Sequence, residues 1–486
     1  MPAPPPSLLV EGRRTIGMRS QEISRRTFLA LGAGSLAAAA VACAPGKNTV
    51  APSAPPANTV IPSTEPITLT LWDQESGKVS HAWDDLIKGF EAKYPNVTIK
   101  RVERSFGDLK SLLKLALSGP KAPDIVEANQ GWPDMGSMVK ANLLLPLDNY
   151  AKAYGWDKRV PANINAANSW TPDGLRFGTG SLYGFTNEGE LVGVFYNKTI
   201  LSKLGLTLPT TFAGFENSLA TAKAANVIPI QYTDLDGWPG AHIWASVQER
   251  FVPESYMTDL IFGTQYNKVS FDTPQNIKAA TTFQSWMQKG YFTPNSLAIG
   301  YDDSVNHFLN GSGLYMVTGN WITANLGAES TEFGFMAMPP DTPGGPLVST
   351  GGPGFPLSIS ASSKNPDAAA AFIDWMTNDQ AAQALVQTGE IALNQGFTPT
   401  GVQPGTLLSE LLAVAARVRD TNAIVPYEDW STPSFYNTLT AEIQNLMGGK
   451  DTPQQFCQKC ESDYLAFQKS RPSPASATAQ PTSTRS

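Results

Sequence analysis

Apolar and polar residues alternate along Ile67-Thr68-Leu69-Thr70-Leu71-Trp72, the period-two pattern of a half-buried strand. Trp83, Leu86, Ile87 and Phe90 then recur at helical spacing until Tyr94-Pro95, where proline ends the run. Residues 97–102 predict a second strand. Leu109, Leu112, Leu113, Ala116 and Leu117 predict a second helix stopped by Gly119-Pro120, and Asp124-Ile125-Val126 a third strand. Strand and helix alternating at this spacing signal parallel βαβ units. A second such run starts at residues 191–196, passes through a helix around 215–225 and a strand at 227–231, and reaches a strand at 313–317. Residues 368–388 predict one strong helix with Ala371, Phe372, Trp375 and Met376 on its apolar face, and further helices start near Tyr436 and Thr452. The fold class is therefore α/β in two lobes, each a mixed or parallel sheet flanked by helices. Ligands of open α/β sheets sit beyond the carboxyl ends of the strands, so a cleft between the lobes is the expected site.

The N-terminal pattern is of another kind. Arg25-Arg26-Thr27-Phe28-Leu29 matches the twin-arginine export pattern, and the apolar run 28–42 is too short and too rich in glycine for the ~20 residues of a spanning helix. Ala40-Val41-Ala42-Cys43 resembles a bacterial lipobox, with Ala40 where leucine is usual, so residues 1–42 are expected to be a signal and Cys43 a lipidated N-terminus at the outer face of the cytoplasmic membrane. The alternative is cleavage near Ala42 by another peptidase, without lipid. Arg13-Arg14 has no apolar run behind it, and a start at Met18 would leave a signal of ordinary length. Residues 43–66, rich in Pro, Ala, Ser and Thr, predict a flexible linker, and 470–486 a disordered tail.

Charge narrows the partners. Of the 42 acidic and 35 basic residues, two Glu and five Arg precede Cys43, which leaves the chain from Cys43 onward at a net −10. That disfavours nucleic acid and anionic membrane surfaces. The three histidines, His81, His242 and His307, show no metal-ligand spacing, and Cys457-x-x-Cys460 lacks both a βαβ context and a second cysteine pair, which leaves a structural role or a local disulfide. Gly178 to Gly184 misses the dinucleotide fingerprint, and no Gly-Lys-Ser/Thr follows Gly351-Gly352-Pro353-Gly354, so no cofactor is expected. An exported glycosidase would need a carboxylate pair that the sequence does not single out. An adhesin would need no closing pocket.

Several phrases, in this order and spacing, carry a resemblance: the opening strand, Phe90-Glu91-Ala92-Lys93-Tyr94-Pro95-Asn96-Val97, Ala122-Pro123-Asp124-Ile125, Val194-Phe195-Tyr196-Asn197-Lys198, Gly319-Asn320-Trp321 and Ser363-Lys364-Asn365-Pro366-Asp367-Ala368-Ala369. With the lipobox and linker, the chain resembles the extracellular solute-binding proteins of ABC sugar importers, the family that includes maltose-binding protein. The resemblance implies two discontinuous lobes, 67–187 plus 340–394 and 188–339 plus 395–469, that close about a hinge on a sugar or oligosaccharide. It further implies a non-enzymatic monomer that delivers its ligand to ABC permease subunits; a sugar phosphate is the nearest rival ligand.

Sugars need flat aromatic faces for their rings and carboxylates or amides for their hydroxyl edges. The resemblance places cleft loops after the strands. They carry Gln74 and Glu75; Glu127, Asn129, Gln130 and Trp132; Asp236 and Trp238; and Asn320 and Trp321. Glu190 matches a ligand-binding acidic position of the family. Gly352 is expected to let the backbone approach a ligand, and Glu428, Trp430 and Tyr436 complete the candidates.

Overall fold

The computed structural model describes residues 51–61, 64–263 and 269–471. The export signal, Cys43 and the tail beyond 471 lie outside the described residues. The first three strands form as their alternation predicts. Ile67–Asp73 lies between Val97–Glu103 and Ile125–Glu127, parallel to both, and Leu357–Ile359 joins antiparallel to the last. Leu69 and Leu71 face a core closed by Trp83 and Phe90 of the helix Gly77–Lys93 and by Phe372 of the helix Pro366–Met376. Each such side chain contributes roughly 1.5 to 3 kcal/mol on burial.

The second sheet is built around the ten-residue strand Glu188–Asn197. Its carboxyl half pairs antiparallel with Tyr315–Gly319 and Phe333–Met336, and its amino half with Gly351 to Pro353 of the strand Ser349–Pro353 and with Ile391–Ala392. Ile424–Val425 completes this sheet beside Ser349–Pro353. Segment 340–394 thus divides, Leu357–Ile359 entering the first sheet and Ser349–Pro353 the second. The helices Phe212–Ala224, Trp238–Gln248, Pro274–Gln288, Phe435–Met447 and Pro453–Ser470 pack together on the second sheet through Phe215, Trp244, Phe283, Trp286 and Phe456.

Local chemistry explains where the pattern misled. The apolar run 368–388 divides into Pro366–Met376 and Asp379–Val386, because Asn378 caps a new helix by accepting the Ala381 N–H at 2.9 Å. Residues 227–231 form no regular strand; Ile230 makes single bridges to Phe292 and Tyr315. In the helix Phe106–Leu117, Leu109, Leu113 and Leu117 are buried, whereas Leu112 is exposed. Cys457 and Cys460 are free thiols on the buried face of Pro453–Ser470 and pack with Phe456 and Tyr464. Burial pushes the Cys457 thiol up to about 12, the state of a packing residue rather than a reactive one.

Residues 51–61, part of the expected linker, lie against the first lobe. Ile61 is buried in its core, the Asn58 backbone N–H donates to Asp367 Oδ1, and the Asn149 amide donates to the carbonyls of Ala54 and Pro55. Among the described residues no helix is long and apolar enough to cross a membrane.

Candidate functional site

A cleft of ≈ 1470 Å³ opens where the two sheets meet. Its floor is the amino half of Glu188–Asn197, and its walls are the loops and helix starts that follow the strands.

One wall is aromatic. Trp238 begins the helix Trp238–Gln248, which places His242 one turn further along the same face, their rings 5.2 Å apart. Trp321 lies in the turn Asn320–Ile322, and its indole N–H donates to the Tyr301 hydroxyl at 2.7 Å. Tyr301 in turn stands 4.3 Å from the Trp238 ring, and Tyr427 and Trp430 continue the surface. Phe106 and Phe355 face this array, Phe106 with its ring centroid 6.5 Å from that of Trp238. Burial drives the His242 imidazole down to about 3, so it is neutral, and its Nδ1 has no partner.

The other wall and the floor are acidic. Gln74 and Glu75 line the cleft at the end of the first strand; Glu127, behind them and 2% exposed, accepts the Gln74 backbone N–H at 2.8 Å. Burial, then the carboxylates of Glu390 and Asp73, push Glu75 up to about 8. Glu190 accepts the Tyr427 hydroxyl at 2.9 Å and is pushed by burial up to about 7. Glu188 and Glu390 share the floor, both raised chiefly by burial and then by neighbouring carboxylates.

The structure brings Gln74, Glu75, Asn129, Glu190, Asp236, Trp238, Trp321, Trp430 and Tyr436 together on the cleft surface. Asn129 is held there by donating to Asp134 at 2.7 Å, and Asp236 by accepting the Tyr301 N–H at 2.7 Å. Lys110 sits 4.0 Å from the Tyr436 ring and pairs with Asp134.

Six candidates take other places. Glu127 supports the Gln74 turn. Gln130 donates to the carbonyls of Pro353 and Gly354 and ties its turn to the crossing strand. Trp132 packs edge-on against Trp170 and Phe467, each 4.8 Å away. Asn320 accepts the Leu191 N–H at 2.8 Å and donates to Gly189 O and Glu390 Oε2, a brace under the floor. Glu428 accepts from Trp244 Nε1 at 2.6 Å and Gln248 Nε2 at 2.8 Å, so its carboxylate points into the helix layer rather than the cleft. Gly352 does not line the cleft, and there is open space where its Cβ would stand, whereas at Gly351 a Cβ would collide with the Glu190 carbonyl.

Phe106, His242, Tyr301, Tyr427 and Asp429 line the cleft without having been singled out. Only His242 had a legible signal, its i+4 relation to Trp238. Among the described residues no group of His, Cys, Asp and Glu is arranged to hold a metal. Ring faces beside acceptors and amides suit a ring-shaped polyol.

Two mixed sheets flanked by helices, a chain that passes between them and a lined cleft define a two-lobed binding protein. Residues 76–383 match the bacterial extracellular solute-binding protein family, and the chain belongs to it. It is similar to the multiple sugar-binding protein of Streptococcus mutans, with 24% identity over 61% of this chain and 68% of that one. It is also similar to the ABC transporter extracellular-binding protein PH1214 of Pyrococcus horikoshii, with 24% identity over 54% of this chain. The chain spans 58% of that relative, less than two thirds of its length. Among solved structures, a chitin oligosaccharide binding protein superposes with a TM-score of 0.72 at 21% identity, over 83% of this chain and 99% of that one. RafE in complex with raffinose gives 0.66 at 18% identity, over 83% and 100%. These likenesses show the fold.

Proposed function

We propose that this chain is the substrate-binding component of an ABC importer, a non-enzymatic monomer that captures a sugar or oligosaccharide and presents it to the permease. The observation that carries this reading is the placement of Trp238 and Trp321 on one wall facing the acceptors Glu75 and Glu190. Indole faces take the apolar faces of a pyranose, and carboxylates take its hydroxyl edge. The names of the Streptococcus mutans relative and of the chitin oligosaccharide binding protein support it.

The segments crossing between the sheets form the hinge between a first lobe at 67–187 plus most of 340–394 and a second at 188–339 plus 395–469, with Ser349–Pro353 and Ile391–Ala392 belonging to the second. Ligand bound between them stabilises the closed form. Cys43 carries the lipid that holds the protein at the outer face of the membrane, raising its local concentration at the permease. A sugar phosphate fits poorly, because the carboxylates on the floor repel a dianion.

A thermal-shift screen over mono- and oligosaccharides tests the reading. A true ligand at a hundredfold excess over Kd stabilises the folded state by about 2.7 kcal/mol. Absence of any carbohydrate response, with Trp321→Ala indistinguishable from the parent, would overturn it. Mass spectrometry of the mature N-terminus, with Cys43→Ala as control, tests the anchor.

A further inference from the structure

The cleft is acidic beyond what hydroxyl recognition needs. Nine carboxylates line it against two cations, Lys78 and Arg104. Glu75, Glu188, Glu190 and Glu390 meet at the floor, and among the described residues none of them makes an ion pair. Their side-chain hydrogen-bond partners are neutral donors. Tyr427 donates to Glu190, and Asn320 donates to Glu390. The nearby Arg101 is already engaged by Asp73, Asp84 and Glu103, and the Arg104 guanidinium lies 4.6 Å over the Trp72 ring.

A neutral ligand accepted by hydroxyl hydrogen bonds leaves such a group of carboxyls either mutually repelling or protonated. A ligand with a fixed positive charge reverses the sign of that term. One further observation fits an occupant of this kind. The aromatic wall of Trp238, Trp321 and Tyr427 presents ring faces, which attract a cation as well as a sugar ring. Beneath the floor, the unpartnered side-chain amide of Asn187, 1% exposed, adjoins Glu188 and Glu390 and brings them no charge. Among the described residues the carboxylates lack a metal-site arrangement, so the charge belongs to an organic cation.

We propose that the ligand is a sugar bearing a protonated amine, its ring against Trp238 and Trp321 and its ammonium among Glu75, Glu188, Glu190 and Glu390. This rests on the carbohydrate reading above and adds the charge to it.

Calorimetric titration of the full chain at pH 7 tests the proposal. The probes are matched sets of hexosamine, N-acetylhexosamine and hexose in the gluco, galacto and manno series, and the β-1,4-linked disaccharides of glucosamine, N-acetylglucosamine and glucose. In at least one set the amine should bind about tenfold or more tighter than both neutral members. The preference, read as the ratio of amine to neutral affinity, should shrink on raising salt from about 0.02 to about 0.5 M, and in Glu190→Gln. If a neutral member binds as tightly as the amine in every responding set, or the preference survives both high salt and Glu190→Gln, the charge assignment falls and the carbohydrate reading stands. If no carbohydrate binds at all, both fall.

Discussion

Two tryptophan-bearing turns look alike in the sequence and differ in the fold. Trp132 follows the strand Ile125–Glu127, and Trp321 follows Tyr315–Gly319. Trp132 folds inward, edge-on to Trp170, and Gly131, at φ +80°, brings its backbone against Trp430 with no room for a Cβ. Trp321 turns along the cleft, its N–H fixed by Tyr301. A strand-end position brings a residue near the cleft. Which way its side chain then points depends on partners from other elements, 20 residues away for Tyr301 and more than 300 for Phe467, so position alone does not make a stacking platform.

The sharpest way to break this comparison is to truncate both indoles. Trp132→Ala should cost about 3 to 5 kcal/mol of stability, read by denaturant unfolding, because it opens a cavity among Trp170 and Phe467. Trp321→Ala should instead weaken sugar binding by about 2 kcal/mol, near thirtyfold in Kd by calorimetry. An unchanged Kd for Trp321→Ala alongside a large loss for Trp132→Ala would reverse the assignment of the two turns.

A smaller effect separates support from contact. Glu428→Ala leaves the Trp244 indole N–H unpaired and removes one of the two acceptors of the Gln248 amide in the helix layer, and should lower stability by about 1 to 3 kcal/mol, with Kd affected less than in Trp321→Ala.

The floor carboxyls give a pH signature. Glu190 and Glu75 have folded pKa values raised to about 7 and about 8 from an ordinary 4.5. Between these limits the unfolded chain holds fewer protons than the folded one. Their contribution is therefore complete below about pH 4.5 and lost as pH rises through 7 to 8. The unliganded melting temperature should fall between pH 5 and pH 8.5, and the Glu75→Gln, Glu190→Gln double variant should fall less. Smallest of all, Leu115→Ser on the exposed face of Phe106–Leu117, 73% exposed, should shift stability by no more than about 0.5 kcal/mol.

Three of the four strands of the first sheet were legible, the first two by their alternation, and its first two helices by one apolar stripe; Leu357–Ile359, three buried residues without alternation, was not. The division at Asn378 was not, since Ala381, Ala382 and Leu385 continue a helical pattern across the cap. At the site, Glu75 and Trp321 were legible as residues following strands; Glu190 lies within the strand Glu188–Asn197, and Trp238 follows a segment, 227–231, that forms no regular strand. Tyr301 and Tyr427 were not, because each reaches the cleft only through long-range packing. Glu428 and Asn320 were placed in the right turns but point away from the cavity, a choice set by the buried donors Trp244, Gln248 and the Leu191 N–H.

The brace at Asn320 also bears on how the chain folds. It joins Leu191, 129 residues away, to Glu390, 70 residues away, with one side chain. Closing loops of that length costs entropy before any contact is gained, whereas the βαβ contacts of the first sheet are more local. The brace is thus expected to set late, together with the equally distant pairing of Val192 with Gly319, so that Asn320→Ala would speed unfolding while leaving the folding rate nearly untouched.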